Sequence, residues 1–453
     1  MKENKSPWLT QLRKDRVHFK LEQDIKTDIA IMGAGIAGIS TAFFLLKYTD
    51  KNVVILEKNK LAHGATGHNA GQVVSYFERG FASLVDSFGL ELASRGQKDI
   101  EDAWNLLDEM YTDARMDINF SRFLGHAGLS SLEQVLLHLK NNSLRKMGGL
   151  DTERIWISDD APFLSSIPTE YKDLYTLTPH KEILELLETE DKSFVAVLSY
   201  QKGCVNSALF CQEVLLYLIE KYGDRFHLYE KTLINKVVLK GDYAILDAES
   251  NTVESKNIIL CTNGFEGFHI LNEGGLDIDT KFHHLVKGTI GYMSGYLEPM
   301  DKNPIAISYF TNPESTTDDP YFYLTRRNYE TDKNYNLISI GGPEVDIEDG
   351  TFYSRKKEFP EDMIKMIDNF VKTVYDTKPN KEIDYVYTWH GLMGYTKNGI
   401  RLIGPEPKNK TLLYNLGCNG VGILPSVYGG KRISEIFLKE KLEKTIFDVP
   451  EGI

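Results

Sequence analysis

The longest apolar stretch of the chain runs from Ile29 to Leu46 and is interrupted at Gly33, Gly35 and Gly38. Ahead of the glycines, Asp28-Ile29-Ala30-Ile31-Met32 has the short, continuous apolar run of a buried strand; behind them, Ile39 to Leu46 reads as the start of a helix. The stretch is about long enough to cross a membrane. Its glycines predict a strand, a tight turn and a helix instead. A second strand is predicted over Asn52–Glu57, ending in an acid 24 positions beyond Gly33. Further on, Ala82–Asp117 shows helical spacing through Leu90, Ala93, Trp104, Leu107 and Met110, and Leu132–Leu144 repeats the pattern. These predict a helical layer over a sheet to which Ile305–Gly342, rich in strand formers, contributes. No internal repeat or low-complexity tract is present.

The glycines are spaced G-x-G-x-x-G, and their setting is that of a dinucleotide-binding unit. Gly33 permits the turn, Gly35 lets a diphosphate approach the backbone, and Gly38 lets helix and strand pack closely. Unpaired N–H groups at the helix N-terminus attract the anion, and Glu57 is placed to accept from ribose hydroxyls. The alternative is a glycine-rich packing turn. The motif alone does not choose between nicotinamide and flavin, but the segment after Glu57 does. Residues 58–72, Lys-Asn-Lys-Leu-Ala-His-Gly-Ala-Thr-Gly-His-Asn-Ala-Gly-Gln, are small and polar where a nicotinamide enzyme would begin its next helix. Such a loop suits a cofactor lying extended across the domain.

Composition narrows the classes. The 453 residues, 42% hydrophobic and 26% charged, predict a compact chain of two to three domains. The balance of 52 basic and 65 acidic residues, with no basic block, argues against nucleic acid as a partner. Cys204, Cys211, Cys261 and Cys418 have neither redox-pair nor zinc spacing and read as free, buried thiols, so no metal site is expected. The polar N-terminus lacks the apolar run of an export signal, and a cytoplasmic location is expected.

The loop resembles that of the FAD-dependent amine oxidoreductases of the D-amino-acid oxidase and glycine/sarcosine oxidase superfamily, and most closely the gamma-glutamylputrescine oxidase branch. Gly203-Cys204-Val205-Asn206, a strand Glu230–Ile234, Ile258–Gly264, Val286-Lys287-Gly288, Trp389–Gly399 and Gly417–Ile423 extend the resemblance over nearly the whole chain, residues 85–195 matching least. It implies an α/β fold in which a Rossmann-like FAD-binding domain (27–80, 196–285 and 386–453) is interleaved with a substrate domain on a mainly antiparallel sheet (81–195 and 286–385), after an N-terminal extension, 1–26. It also implies that FAD is held by Gly33, Gly35, Ile36, Ala37 and Gly38; by Glu57 and Lys58; and by Gly64, Ala65, Thr66, His68, Asn69, Ala70, Gly71 and Gln72. Further along, Ile234 would offer its backbone to the adenine, followed by Thr262, Asn263 and Gly264, with Asn419, Gly420, Val421, Gly422 and Ile423 beside the flavin ring.

Departures from the family pattern shape the expected activity. Met393 stands where amino-acid oxidases carry an arginine that clamps a substrate carboxylate, and also where sarcosine oxidases attach flavin to cysteine. The triplet Thr396-Lys397-Asn398 is similar to the polyamine-type branch, so an amine without an α-carboxylate is expected. His68 is placed like the histidine that bonds flavin in dimethylglycine dehydrogenases. It is either a covalent link or, the favoured reading, a neutral histidine hydrogen-bonded near the cofactor. Ser339 aligns with a lysine that assists oxygen in sarcosine oxidases, leaving oxygen and an electron-accepting partner both open.

The chemistry implied is hydride transfer from a C–H beside a neutral amine to flavin N5, giving an imine that hydrolyses. Trp389, His390, Tyr395 and Tyr323 are the candidate catalytic residues, with Tyr321 beside them; the alternative for each is an ordinary core side chain. Glu78 and Arg79 either select substrate charge or form a solvated helix start, and Arg355-Lys356-Lys357 reads as a wet face. A nicotinamide dehydrogenase and a flavoprotein with secondary turnover or none are the competing functions. Oligomeric state is not readable from the sequence.

Overall fold

A computed structural model describes residues 3–14, 16, 18–265, 267–278, 286–312, 321–348, 353–376, 382–439 and 442–451. Two large mixed sheets organise them. The first is built on the strand Ile25–Met32, which lies between parallel neighbours Val53–Glu57 and Asn251–Leu260. Ile29 and Ile31 face the helix Ile36–Tyr48 and pack with Ile39 and Phe43, while Ala30 and Met32 pack on the opposite side with Val54 and Leu56. Burial on both faces is why this strand is continuously apolar rather than alternating. Asn251–Leu260 pairs antiparallel with Ala244–Ala248 along its first half and parallel with Asn409–Leu416 along its second, returning the C-terminal part of the chain to the first sheet.

Phe226–Glu230 extends the other edge. The strand expected at Glu230–Ile234 ends at its first residue. Lys231 adopts a left-handed φ of 54°, and the amides of Lys231 and Thr232 turn to the carbonyls of Asn59 and Glu57.

The second sheet runs from Tyr387–Thr396 through Val286–Pro299, Tyr335–Ile347, Phe322–Asn328, Ile305–Tyr309, Phe120–Leu129 and Ala196–Val205 to Arg154–Ser158 and Thr176–Thr178, with Gln72–Val74 added to Ala196–Val205. Most of its pairings are antiparallel. Ile305–Gly342 contributes as expected, though residues 313–320 lie outside the described residues, as do 279–285 beside the expected domain cut. Ala196–Val205 and Tyr387–Thr396, expected in the FAD-binding segments, hydrogen-bond into this second sheet. Each is a ten-residue strand paired along its length within that sheet, so the expected cuts, at 196 and at 386, assign to one domain what the hydrogen bonds join to the other.

The helical stretch expected over 82–117 breaks at Gly89 (φ 78°) into Phe81–Phe88 and Leu90–Asp113. The longer helix buries Ala93, Ile100, Ala103, Trp104, Leu107 and Met110 in one cluster with Phe43, Leu424 and Val427. It therefore flanks the helices of the first sheet and also lays Trp104 and Tyr111 on Phe120 of the second, with ring centres 5.9 and 5.1 Å away. Leu132–Met147 does cover the second sheet, through Val135 and Leu139 against Leu129, Ile155 and Leu198. Among the described residues no helix is long and apolar enough to cross a membrane.

Candidate cofactor and substrate cavity

At the end of the first strand the chain turns sharply. Gly33 has a φ of +105°, and a Cβ there would stand 2.7 Å from the carbonyl oxygen of Cys261; a Cβ on Gly38 would overlap the Gly33 carbonyl. The turn thus needs glycine for conformation at the first position and for helix–strand contact at the last. The helix Ile36–Tyr48 begins at Gly35 with no side-chain cap from its own sequence. Instead Thr66 Oγ1, thirty residues on, accepts from Ile36 N at 2.9 Å, so the small-residue loop is fastened to the helix N-terminus. Glu57 closes the second strand, its Oε2 accepting from Ala34 N (3.0 Å) and its Oε1 from Asn59 N (2.7 Å), while burial pushes its carboxyl up.

The loop is held from below as well. Asn69 Oδ1 accepts from Gly71 N (2.8 Å), and its Nδ2 donates to Thr66 O (3.0 Å) and Ser207 Oγ (2.9 Å). The carbonyl of Asn69 accepts the indole N–H of Trp8 (2.6 Å) and of Trp389 (3.2 Å). Ser6 Oγ donates to Gly67 O at 2.5 Å, so part of the N-terminal extension is a support of this loop. His68 Nδ1 lies 2.9 Å from Gly64 O, and burial pushes the ring down to about 4, keeping it neutral at ordinary pH.

Above these supports lies a cavity of about 2120 Å³ that runs between the two sheets. Along one part it is lined by Gly33, Gly35, Ile36, Ala37, Glu57, Lys58 and Ile234, and further on by Gly64, Ala65, Thr66, His68, Asn69, Ala70, Gly71, Gln72, Thr262 and Asn263. Asn419 to Ile423, leading into the helix Ile423–Ile436, close one wall. Asn263 Oδ1 accepts from Cys418 N and Asn419 Oδ1 from Thr396 N, each at 2.8 Å, so two asparagines with positive φ join this wall to its neighbours. Gly38 and Gly264 do not line the cavity; they permit close packing behind it, a Cβ on Gly264 meeting the Val286 side chain at 2.6 Å.

Beyond the loop the lining changes character. Tyr76, Tyr321, Tyr323, Met393 and Tyr395 face the space together with Glu78, Glu344 and Asp346. Tyr321 stacks on Phe310 (4.6 Å) and meets Tyr323 edge-on (5.9 Å). Burial with Asp346 nearby pushes Glu344 up to about 7, and Asp346 Oδ1 accepts from Thr289 Oγ1 at 2.7 Å. Sequence reasoning missed Glu344 and Asp346, although their spacing of two on one strand puts both on one face. It also missed Lys202, fully buried beneath this end, whose Nζ donates to Ser308 Oγ (3.2 Å) and Gln72 Oε1 (3.4 Å) and stands 5.0 Å from the Tyr200 ring centre. Burial pushes Lys202 down to about 7.

Two of the four candidate catalytic residues are elsewhere. Trp389 is fully buried under the loop, edge-on to Trp8. His390 points to the opposite face of its strand, with Nδ1 2.9 Å from Tyr353 Oη and Nε2 2.9 Å from Lys357 O. Neither lines the cavity, and only Tyr323 and Tyr395 remain at the substrate end. Ser339 is buried inside the second sheet and does not line it either. Arg355 and Lys356, expected on a wet face, do line it, and Cys418, expected to be buried, is half-buried there. Arg79 is committed: it donates to Asn398 O (2.6 Å), Ser83 O (2.9 Å) and Ser87 Oγ (2.7 Å).

A long cavity, a glycine turn at a helix N-terminus and an acid at the end of the second strand fit a dinucleotide. Gln72 adds a buried Nε2–H at the cavity that has no acceptor among the described residues. The model of one protein family, DAO: FAD dependent oxidoreductase, matches residues 28–436. The chain belongs to this family. As a DAO-family protein it is an FAD-dependent oxidoreductase, and FAD is its cofactor.

Its sequence is 23% identical over 299 residues to a Bacillus subtilis protein named as the Rieske 2Fe-2S iron-sulfur protein YhfW, covering 64% of this chain and 50% of that one. It is 33% identical over 73 residues to the gamma-glutamylputrescine oxidoreductase of Escherichia coli, 16% of this chain and 17% of the other. The chain thus spans half or less of these two curated relatives. Its fold is similar to that of glycine oxidase from Geobacillus kaustophilus, with a TM-score of 0.68 at 18% identity over 94% of this chain and 99% of that one.

Proposed function

We propose that this DAO-family protein oxidises the C–N bond of a small amine that lacks an α-carboxylate, releasing an imine that water hydrolyses. The observation that carries the reading is the charge at the far end of the cavity. Glu78, Glu344 and Asp346 face a space walled by Tyr76, Tyr321, Tyr323 and Tyr395. Carboxylates and ring faces attract an ammonium ion and repel a carboxylate. The nearby guanidinium, Arg79, is occupied by Asn398, Ser83 and Ser87, Met393 is neutral, and Lys287 and Lys397 are exposed to water.

FAD, when bound, supplies the two-electron acceptor for the hydride lost from the amine carbon. The protein's tasks are then to neutralise the amine and hold its C–H in place. Glu344, pushed up to about 7, can accept an ammonium proton near neutral pH without a large free-energy gap. Tyr323 and Tyr395, whose hydroxyls burial pushes up, stay protonated and serve as walls and hydrogen-bond donors rather than bases. The amides of Gly420 to Ile423, at the start of the helix Ile423–Ile436, offer positive dipole to negative charge gathering on the cofactor ring.

The test is the visible spectrum of the purified protein under anaerobic conditions, with diamines, N-methylglycines and free amino acids added in turn. Bleaching by the diamines, and not by the N-methylglycines or the free amino acids, is expected. Bleaching by N-methylglycines or amino acids alone overturns the substrate assignment, and a yellow protein that none of them bleaches overturns turnover of this class. Admitting air separates the acceptors: prompt return of colour marks oxygen, slow return an electron-carrying partner.

A further inference from the structure

Five arginines among the described residues are buried: Arg145, Arg326, Arg327, Arg401 and Arg432. Four of them reach a carboxylate, Glu101, Glu188, Glu330 and Asp448 respectively, at 2.5–2.7 Å. Arg401 is the exception. Its Nε donates to Asn415 Oδ1 (2.5 Å), its Nη2 to Asn415 O (2.8 Å) and its Nη1 to Gly417 O (3.1 Å), all neutral acceptors. It is only 5% exposed. A buried cation without a counter-charge is expensive, and fixing it so firmly with carbonyls implies that an anion completes the arrangement. Burial lowers Arg401 to about 10, which still leaves it charged at neutral pH.

Its position says which anion. Arg401 lines the cavity beside Cys261, whose carbonyl abuts Gly33 of the turn. Its anchor Asn415 donates through Nδ2 to Thr41 Oγ1 (3.1 Å) in the helix Ile36–Tyr48 and to Ser426 O (3.0 Å) in the helix Ile423–Ile436. Asn415 thus ties the guanidinium to the second turn of the first of these helices and to the first turn of the other, the two helices whose N-termini open on the cavity. Two helix dipoles and one uncompensated cation therefore face the same cavity.

We propose that Arg401 is the counter-charge for the diphosphate of the dinucleotide bound in this cavity. The inference rests on the FAD assignment and is independent of the amine substrate. No charged contact from the glycine turn itself supplies this role, since the turn offers only backbone N–H groups. The remaining guanidinium N–H groups and the full positive charge would favour a diphosphate over a neutral ligand of the same shape.

The test is titration of ADP and of adenosine into protein stripped of flavin, by calorimetry at low and at high salt. Wild type is expected to prefer ADP, less so as salt rises. In Arg401→Gln the preference is expected to fall about ten- to hundredfold while adenosine binds as before. Arg401→Lys, which keeps the charge and loses the fork, is expected to retain a large part of the preference. Unchanged adenosine binding with an unchanged ADP-to-adenosine ratio in Arg401→Gln overturns the proposal. Should that variant not fold, loss of the whole preference in a folded Arg401→Lys likewise overturns a charge-based role. Wild type that binds neither ADP nor FAD sinks the cofactor assignment itself, a result distinct from failure of the Arg401 variants.

Discussion

Trp8 meets Trp389 edge-on, with ring centres 6.2 Å apart at 83°, and the indole N–H groups of both converge on the carbonyl of Asn69. Residues 381 positions apart thus clamp one peptide group of the loop that lines the cavity, and a Cβ on Gly71 would stand 2.8 Å from the Trp8 ring. Removing the Trp8 ring leaves a hole directly beneath the loop, and the Asn69 carbonyl keeps only the longer of its two indole hydrogen bonds, from Trp389. Trp8→Ala is expected to cost about 3–5 kcal/mol of stability and to release FAD more readily. Denaturant unfolding with and without added FAD measures both. Equal FAD affinity in variant and wild type would show that this support does not reach the cofactor.

His68 is the second test of the same loop. Its Nδ1 is taken by the Gly64 carbonyl, leaving Nε2 as the nitrogen free at the cavity, and the ring is neutral above about pH 4. We expect it to act through hydrogen bonding. Acid precipitation should leave the yellow colour in the supernatant, with peptides containing His68 at their unmodified mass. Colour that stays with the pellet, and a His68 peptide heavier by one flavin, would establish a covalent bond instead.

Lys202 ties stability to pH. An unfolded lysine titrates near 10.4 and this one near 7 in the fold, so between those values the unfolded chain holds more protons and stability rises with pH. Below pH 7 the burial penalty is present in full. The groups around the amine are Ser308, Gln72, Tyr200 and Tyr76, with Glu78 as the acid whose field reaches it. Lys202→Met removes the titration. Relative to this variant, wild type should gain on the order of a few kcal/mol between pH 6 and pH 10. A stability difference that stays flat across that range contradicts the assignment.

Met393 bears on specificity. It is half-buried at the substrate end, with the Tyr395 hydroxyl 3.9 Å from its sulfur and its methyl lying over Gly291, where a Cβ would stand 3.1 Å from it. Met393→Arg would aim a cation into the space where the amine is proposed to bind. Activity on amines should fall, and kcat/KM for an α-amino acid relative to an amine should rise by about tenfold or more. Steady-state kinetics on both classes decides; an unchanged ratio would place the substrate away from Met393.

The glycine turn, the acid at the end of the second strand and the small-residue loop were readable in the linear chain, while the Asn419–Ile423 segment was reached only through the family resemblance. The turn depends on a backbone conformation and a close approach that a few contiguous residues impose, and Gly33, with its φ of +105°, could be argued from type and spacing alone. The substrate end was not readable in this way. Trp389 and His390 sit in the same motif as Tyr395, yet one lies beneath the loop and the other faces away, because strand parity and depth decide what a side chain meets. Glu344, Lys202 and Arg401 take their meaning from partners on other strands: Arg401 differs from four other buried arginines only in what the fold does not place beside it. Local conformation is set by neighbours in sequence. Charge and burial are set by neighbours in space, which only the packed sheets determine.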